Sequence, residues 1–223
     1  MAEQHGAIRK QRYAQSMYLM NGPSSSPPTQ EEMTVIHSLQ QESQTNPGMP
    51  HVKDHTYRSS FIIYPERRNV HGKMFGGFVM EQSHILAQYA ADFYLHSNVR
   101  TSLDQEHTLT SGILSRAIPL GLTDAIFLQP VSIGDHVTFT ARVVHSTNHS
   151  CRVVVIVEVL DPTNQHSKTW RSNRISFLFG GRNFPSQIVP DTYGEILMHV
   201  EETRKEALEG PLEEEVEQII NEV

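Results

Sequence analysis

Apolar residues recur at helical spacing between Phe78 and Leu95, at Phe78, Val79, Ile85, Leu86, Tyr89, Ala90 and Phe93. That period predicts one long helix. The stretch before it, Asn69-Val70-His71-Gly72-Lys73-Met74-Phe75-Gly76-Gly77, is polar and interrupted by glycine. Past Asp124 the period changes to strand. Ala125 to Leu128 is apolar and stops at Pro130. Val137, Phe139, Ala141 and Val143 alternate with Thr138, Thr140 and Arg142. Cys151 to Leu160 is β-branched, with Val153, Val155, Val157 and Val159 on one face, and Ile175, Phe177 and Phe179 alternate with Ser176 and Leu178. Tyr57 to Tyr64 reads as a further strand upstream. Short turns join the later strands at Ile133-Gly134-Asp135, Asn148-His149-Ser150 and Asp161 to Asn164. Strand, loop, long helix and four strands predict an α+β domain, an antiparallel sheet against one helix.

The paired glycines Gly76 and Gly77 fall at the helix start. Backbone N–H groups there lack intrahelical partners and the dipole is positive. Such an end can hold an anion or a polarised carbonyl oxygen, and glycine lets a ligand approach the backbone closely.

Three blocks carry a family resemblance: Tyr64-Pro65-Glu66-Arg67-Arg68-Asn69-Val70-His71-Gly72-Lys73-Met74-Phe75-Gly76-Gly77-Phe78-Val79-Met80, then Phe127 to Asp135, then Asp191-Thr192-Tyr193-Gly194-Glu195. Together they resemble the C-terminal half of the two-hotdog acyl-CoA thioesterases of mitochondria. The likeness runs from about Arg58 to Val200, apart from one insert. It implies the hotdog fold, a curved antiparallel sheet of about five strands wrapped on a central helix. It further implies acyl-CoA hydrolysis at a site between two hotdog units, a homo-oligomer or pairing with another hotdog domain, a mitochondrial location (otherwise a cytoplasmic one, since no convincing transit peptide is seen) and no cofactor. Residues 1–51 resemble the linker between the two halves, largely extended or disordered, so the N-terminal half is expected to be missing. Residues 52–200 form the hotdog domain, 103–122 a flexible or partly helical insert, and 201–223 an acidic helical tail that is solvated rather than docked.

Thioester hydrolysis needs a donor for the developing oxyanion and a group that activates water. The helix start at Gly76, Gly77 and Phe78 is the expected oxyanion and substrate-binding element. Asn69 and His71 on the preceding loop, and Glu81 one turn into the helix, are the catalytic candidates. Arg67, Arg68 and Lys73 are the candidates for binding coenzyme A phosphates, and Met80, Tyr89 and Phe93 for lining an acyl tunnel. In many hotdog thioesterases an Asp or Asn stands three residues before the first glycine, where this chain has Lys73. The departure favours an alternative: an inactive single-hotdog remnant that binds acyl-CoA or pairs with a complete thioesterase. Enoyl-CoA hydration ranks last, because the Asp-x-Asn-Pro-x-His loop of that chemistry is absent.

Charge changes the picture in one place. The chain of 223 residues has a formal charge of -7. Nine Glu against Arg204 and Lys205 after residue 200 account for it. With no basic stripe, nucleic acid is not the expected partner. No apolar run reaches the length of a membrane span. The single cysteine, Cys151, sits in an apolar strand pattern and reads as buried. The histidines show no metal-ligand spacing, so no metal is expected.

Overall fold

A computed structural model describes residues 27–97, 116–161, 169–182 and 184–209. Three helices and five strands follow in chain order: α1 (Gln30–Thr45), β1 (Thr56–Ile62), α2 (Gly76–Leu95), β2 (Ile118–Phe127), β3 (His136–Ser146), β4 (Ser150–Leu160), β5 (Thr169–Gly180) and α3 (Tyr193–Glu209). The strands form one sheet in the order β1-β3-β4-β5-β2, and every neighbouring pair is antiparallel.

Alternation along the strands makes two faces. Val137, Phe139, Ala141, Val153, Val155, Val157, Ile175, Phe177 and Phe179 point inward and join one core with α2. The helix presents Val79, Ser83, Ala87, Ala90 and Ala91 to that core, each almost fully buried. These are mostly small residues, so the helix axis can lie close to the sheet. The expected helix against an antiparallel sheet is what forms.

The opposite face is covered by α3. Val144, Val154 and Ile156 pack on Met198, and Ile196 and Val200 close a second cluster with Ile36 of α1. Charge completes the contact. Arg174 donates through Nη1 to both carboxylate oxygens of Glu201 at 2.6 Å. Glu202 accepts from Ser176 Oγ at 3.0 Å and Lys205 Nζ at 2.8 Å, with Arg152 at 3.8 Å. Arg152 and Glu202 are both shut off from solvent.

Three expectations need correction. Residues 118–122 are not insert but the first half of β2, paired to β5 from Ile118↔Gly180 onward. Pro119 and Gly121 mark an edge strand, where a missing N–H and register shifts between Pro119/Gly121 and Leu122/Asp124 are tolerated. Residues 103–115 lie outside the described residues. The linker-like segment is helical over Gln30–Thr45, started by a capping box in which Thr29 and Glu32 exchange side-chain and backbone bonds. The acidic tail helix begins at Tyr193 and is docked through Ile196, Val200, Glu201 and Glu202, whereas Leu208 is 87% exposed. Residues 210–223 lie outside the described residues.

Candidate active site

The loop before α2 is held by its own residues. Asn69 Oδ1 accepts from the backbone N–H groups of His71 at 2.9 Å and Lys73 at 3.1 Å. Gly72 turns the chain with φ of 70°, in the left-handed region. Met74 N–H donates to Val131 O, and Lys73 Nζ donates to Ser132 Oγ at 3.0 Å. These bonds tie the loop to the β2–β3 connection, itself closed by Asp135 accepting from Ser132 N–H at 2.8 Å and by Gly134 at φ 93°.

A cleft of about 360 Å³ opens where these pieces meet the start of α2. Its apolar wall is Met74, Val79, Phe127, Leu128, Pro130 and Val131. Its polar groups are Asn69, His71, Lys73, Gln129, Ser172 and Asn173, with Gly76 at the helix end. The N-cap residue is Phe75, which offers no side-chain capping bond. The N–H groups of Gly76 and Gly77 therefore keep neither an intrahelical partner nor a capping side chain. The cleft wall includes Lys73 but no carboxylate among its described residues.

The structure brings together Asn69, His71, Lys73 and Gly76 and leaves other candidates outside. Phe78 is not free to donate: its N–H bonds to Phe75 O at 3.0 Å, and its ring is buried against Phe61 with Arg67 over it at 4.7 Å. Gly77 lies under the Phe75 ring, where an added Cβ would come within 2.3 Å of it. The second glycine thus serves close packing, whereas Gly76 meets only Phe127 at 3.8 Å. Glu81 is exposed and lines no part of this cleft. Arg67 and Arg68 are exposed on the flank of the loop rather than in the cleft. Of the acyl-lining candidates, Tyr89 borders a separate groove of about 350 Å³ between β1 and α2, while Met80 packs on the core and Phe93 meets Tyr57 and Tyr89 in tilted ring contacts. Cys151 is fully buried, and burial pushes its thiol well above the ordinary range.

Sequence reasoning missed Ser172 and Asn173. Asn173 shares the inward row of β5 with Ile175, Phe177 and Phe179 and pairs with Phe127 on one side and Val157 on the other. An amide at an inward position of an otherwise apolar row was the available signal.

Solved structures share this fold. An acyl-CoA hydrolase from Staphylococcus aureus, solved with butyryl coenzyme A and coenzyme A, superposes with a TM-score of 0.60 at 17% identity, over 77% of this chain and 96% of its own. One from Bacillus cereus gives 0.59 at 15% identity, over 77% and 98%. The chain has the hotdog fold. In sequence it resembles mitochondrial acyl-coenzyme A thioesterase 10 of Mus musculus, 25% identical over 89% of this chain and 43% of the relative. Human mitochondrial acyl-coenzyme A thioesterase 9 is 26% identical over 69% of this chain and 31% of its own length. The chain thus spans less than half the length of these curated relatives. No protein-family model matches it.

Proposed function

We propose that this hotdog chain hydrolyses acyl-CoA thioesters in the cleft at the start of α2. The observation that carries the reading is the uncapped helix end at Gly76, open to a cleft that is apolar on one wall and polar on the other. The substrate carbonyl oxygen accepts from the Gly76 N–H, where charge develops as water attacks. His71 takes the proton of that water and passes it to the departing coenzyme A thiolate. Asn69 holds His71 and Lys73 in place through its side-chain oxygen and keeps its NH2 group for the substrate. Lys73, with Arg67 and Arg68 on the outer flank, offers positive charge to the coenzyme A phosphates. Water is the only co-reactant, and no cofactor is required.

The site is shared between two hotdog units. The edge strand β2, whose Phe127 lines the cleft, leaves Leu122 and Phe127 45% and 49% exposed. A hexameric acyl-CoA thioesterase with a TM-score of 0.57 and 16% identity to this chain supports assembly from copies. The mitochondrial relatives support the same compartment here. A second reading is favoured by the missing carboxylate and by Lys73: the chain binds acyl-CoA without hydrolysing it, or pairs with a complete thioesterase.

Free thiol released from a panel of acyl-CoAs by the purified, folded chain separates the two. The proposal expects saturable release. Binding of acyl-CoA with release no faster than buffer leaves the second reading standing.

A further inference from the structure

Asn173 is 2% exposed, lines the cleft, and its Oδ1 has no hydrogen-bond partner among the described residues. Buried amide oxygens are rarely left unpaired, and each such case calls for a ligand or a function. The position makes the case sharper. Its inward neighbours on β5 are Ile175, Phe177 and Phe179, so it is the polar member of an otherwise apolar row. Asn173 also sits opposite Phe127, whose ring lies 3.8 Å from the Cβ position of Gly76. Asn173 and the uncapped helix end therefore line one cleft.

The two ends have opposite demands. The N–H of Gly76 needs an acceptor, which a thioester carbonyl supplies. The oxygen of Asn173 needs a donor, which a thioester carbonyl cannot supply. Two donors could meet it: an amide N–H of the pantetheine arm, or a water molecule. The arm must lead back to solvent, where its phosphates stay hydrated, so its amides lie on the outer side of the thioester. Asn173 is 2% exposed, whereas His71 on the same cleft is exposed. Resting on the hydrolase reading above, we infer that Asn173 Oδ1 is the acceptor that holds and orients the attacking water. Water donates one O–H to Asn173 and loses its other proton to His71. Its oxygen bonds to the acyl carbon, the C–S bond breaks, and the thiolate takes the proton from His71, giving a carboxylic acid and coenzyme A. The amide takes no proton; it is a positioning residue.

The test uses Asn173→Leu and Asn173→Ala in the full chain, with butyryl-CoA as the probe. Both variants are assayed for free acid and, with added hydroxylamine, for the hydroxamate. The inference expects kcat for hydrolysis to fall about 30-fold or more with KM within about threefold. It also expects the hydroxamate-to-acid ratio to rise at least fivefold, because hydroxylamine attacks without the lost acceptor. Hydroxamate formed without enzyme is subtracted, and the folded fraction of each variant is checked by circular dichroism, so that the ratio reports the folded protein alone. Acid and hydroxamate falling in step would overturn the inference and leave Asn173 a structural residue. A raised KM with kcat unchanged would also overturn it, in favour of an arm amide. If the unsubstituted chain releases no thiol, the hydrolase reading fails and takes this inference with it. An active chain with an unmoved ratio overturns this inference alone.

Discussion

Glu202 shows how much a single side chain can decide. It is fully buried under α3 and meets Ser176, Arg174, Lys205 and Arg152. Removing it takes a buried carboxylate from beside Arg152, itself 1% exposed and 3.8 Å away. Losing one partner of a buried ion pair costs about 3–5 kcal/mol. Urea unfolding of Glu202→Ala should show a loss of that order, with the slope against denaturant unchanged. A loss below about 1 kcal/mol would mean that α3 is not held by this network. The same scale explains why the two glycines differ. Gly77 lies against the Phe75 ring and Gly76 faces the cleft, a distinction invisible in a Gly-Gly pair. Asn69 and His71 could be picked out in the sequence because a Gly72 turn leads into the helix start. Asn173 could not, because its meaning depends on what lies across from it on β2 and α2.

Among the elements, the strongly periodic ones were legible: α2 and strands β1, β3, β4 and β5 follow from spacing alone. In sequence, Pro119 and Gly121 argue against a strand in the first half of β2, and only its place at the sheet edge makes them harmless. α1 was missed although Thr29-x-x-Glu32 is a capping box, because Pro27-Pro28 and a polar run masked the signal. α3 was read as solvated because its acidic residues look like a hydrated face. Their partners Arg152 and Arg174 are on strands more than 25 residues away.

The docking of α3 carries a pH signature. His199 on α3 donates from Nδ1 to Val144 O at 2.8 Å. Burial first, and then the charge of His145, push its pKa down to about 4. The Glu206 carboxyl is lowered too, chiefly by its 2.6 Å bond to His145. Between pH 6.5 and 4 the unfolded chain takes up the His199 proton and the folded chain does not, so stability falls as pH drops through that window. The loss is of order 1–3 kcal/mol from the histidine. Chemical unfolding at pH 7 and pH 4.5 should show it, and His199→Leu should flatten the difference. An equal pH dependence in both proteins would remove His199 from the account.

For the whole molecule, the sheet, its central helix and the docked α3 all fix the position of one helix end. The inner core sets the height of α2 above β5, and the loop bonds from Asn69 and Lys73 set the mouth of the cleft. The fold was legible in the sequence because its elements are local patterns. The cleft was legible only in part, because half of its lining comes from β5 and the β2–β3 connection, which meet α2 only after folding.

The most direct measurement is free-thiol release from butyryl-CoA by the folded chain, compared with Gly76→Val. Valine at that position fills the space beside Phe127 and crowds the helix end without a clash built into the backbone. Release by the unsubstituted chain is expected, with at least a tenfold drop in the folded variant. Equal rates in the two folded proteins, or no release from either, would contradict it.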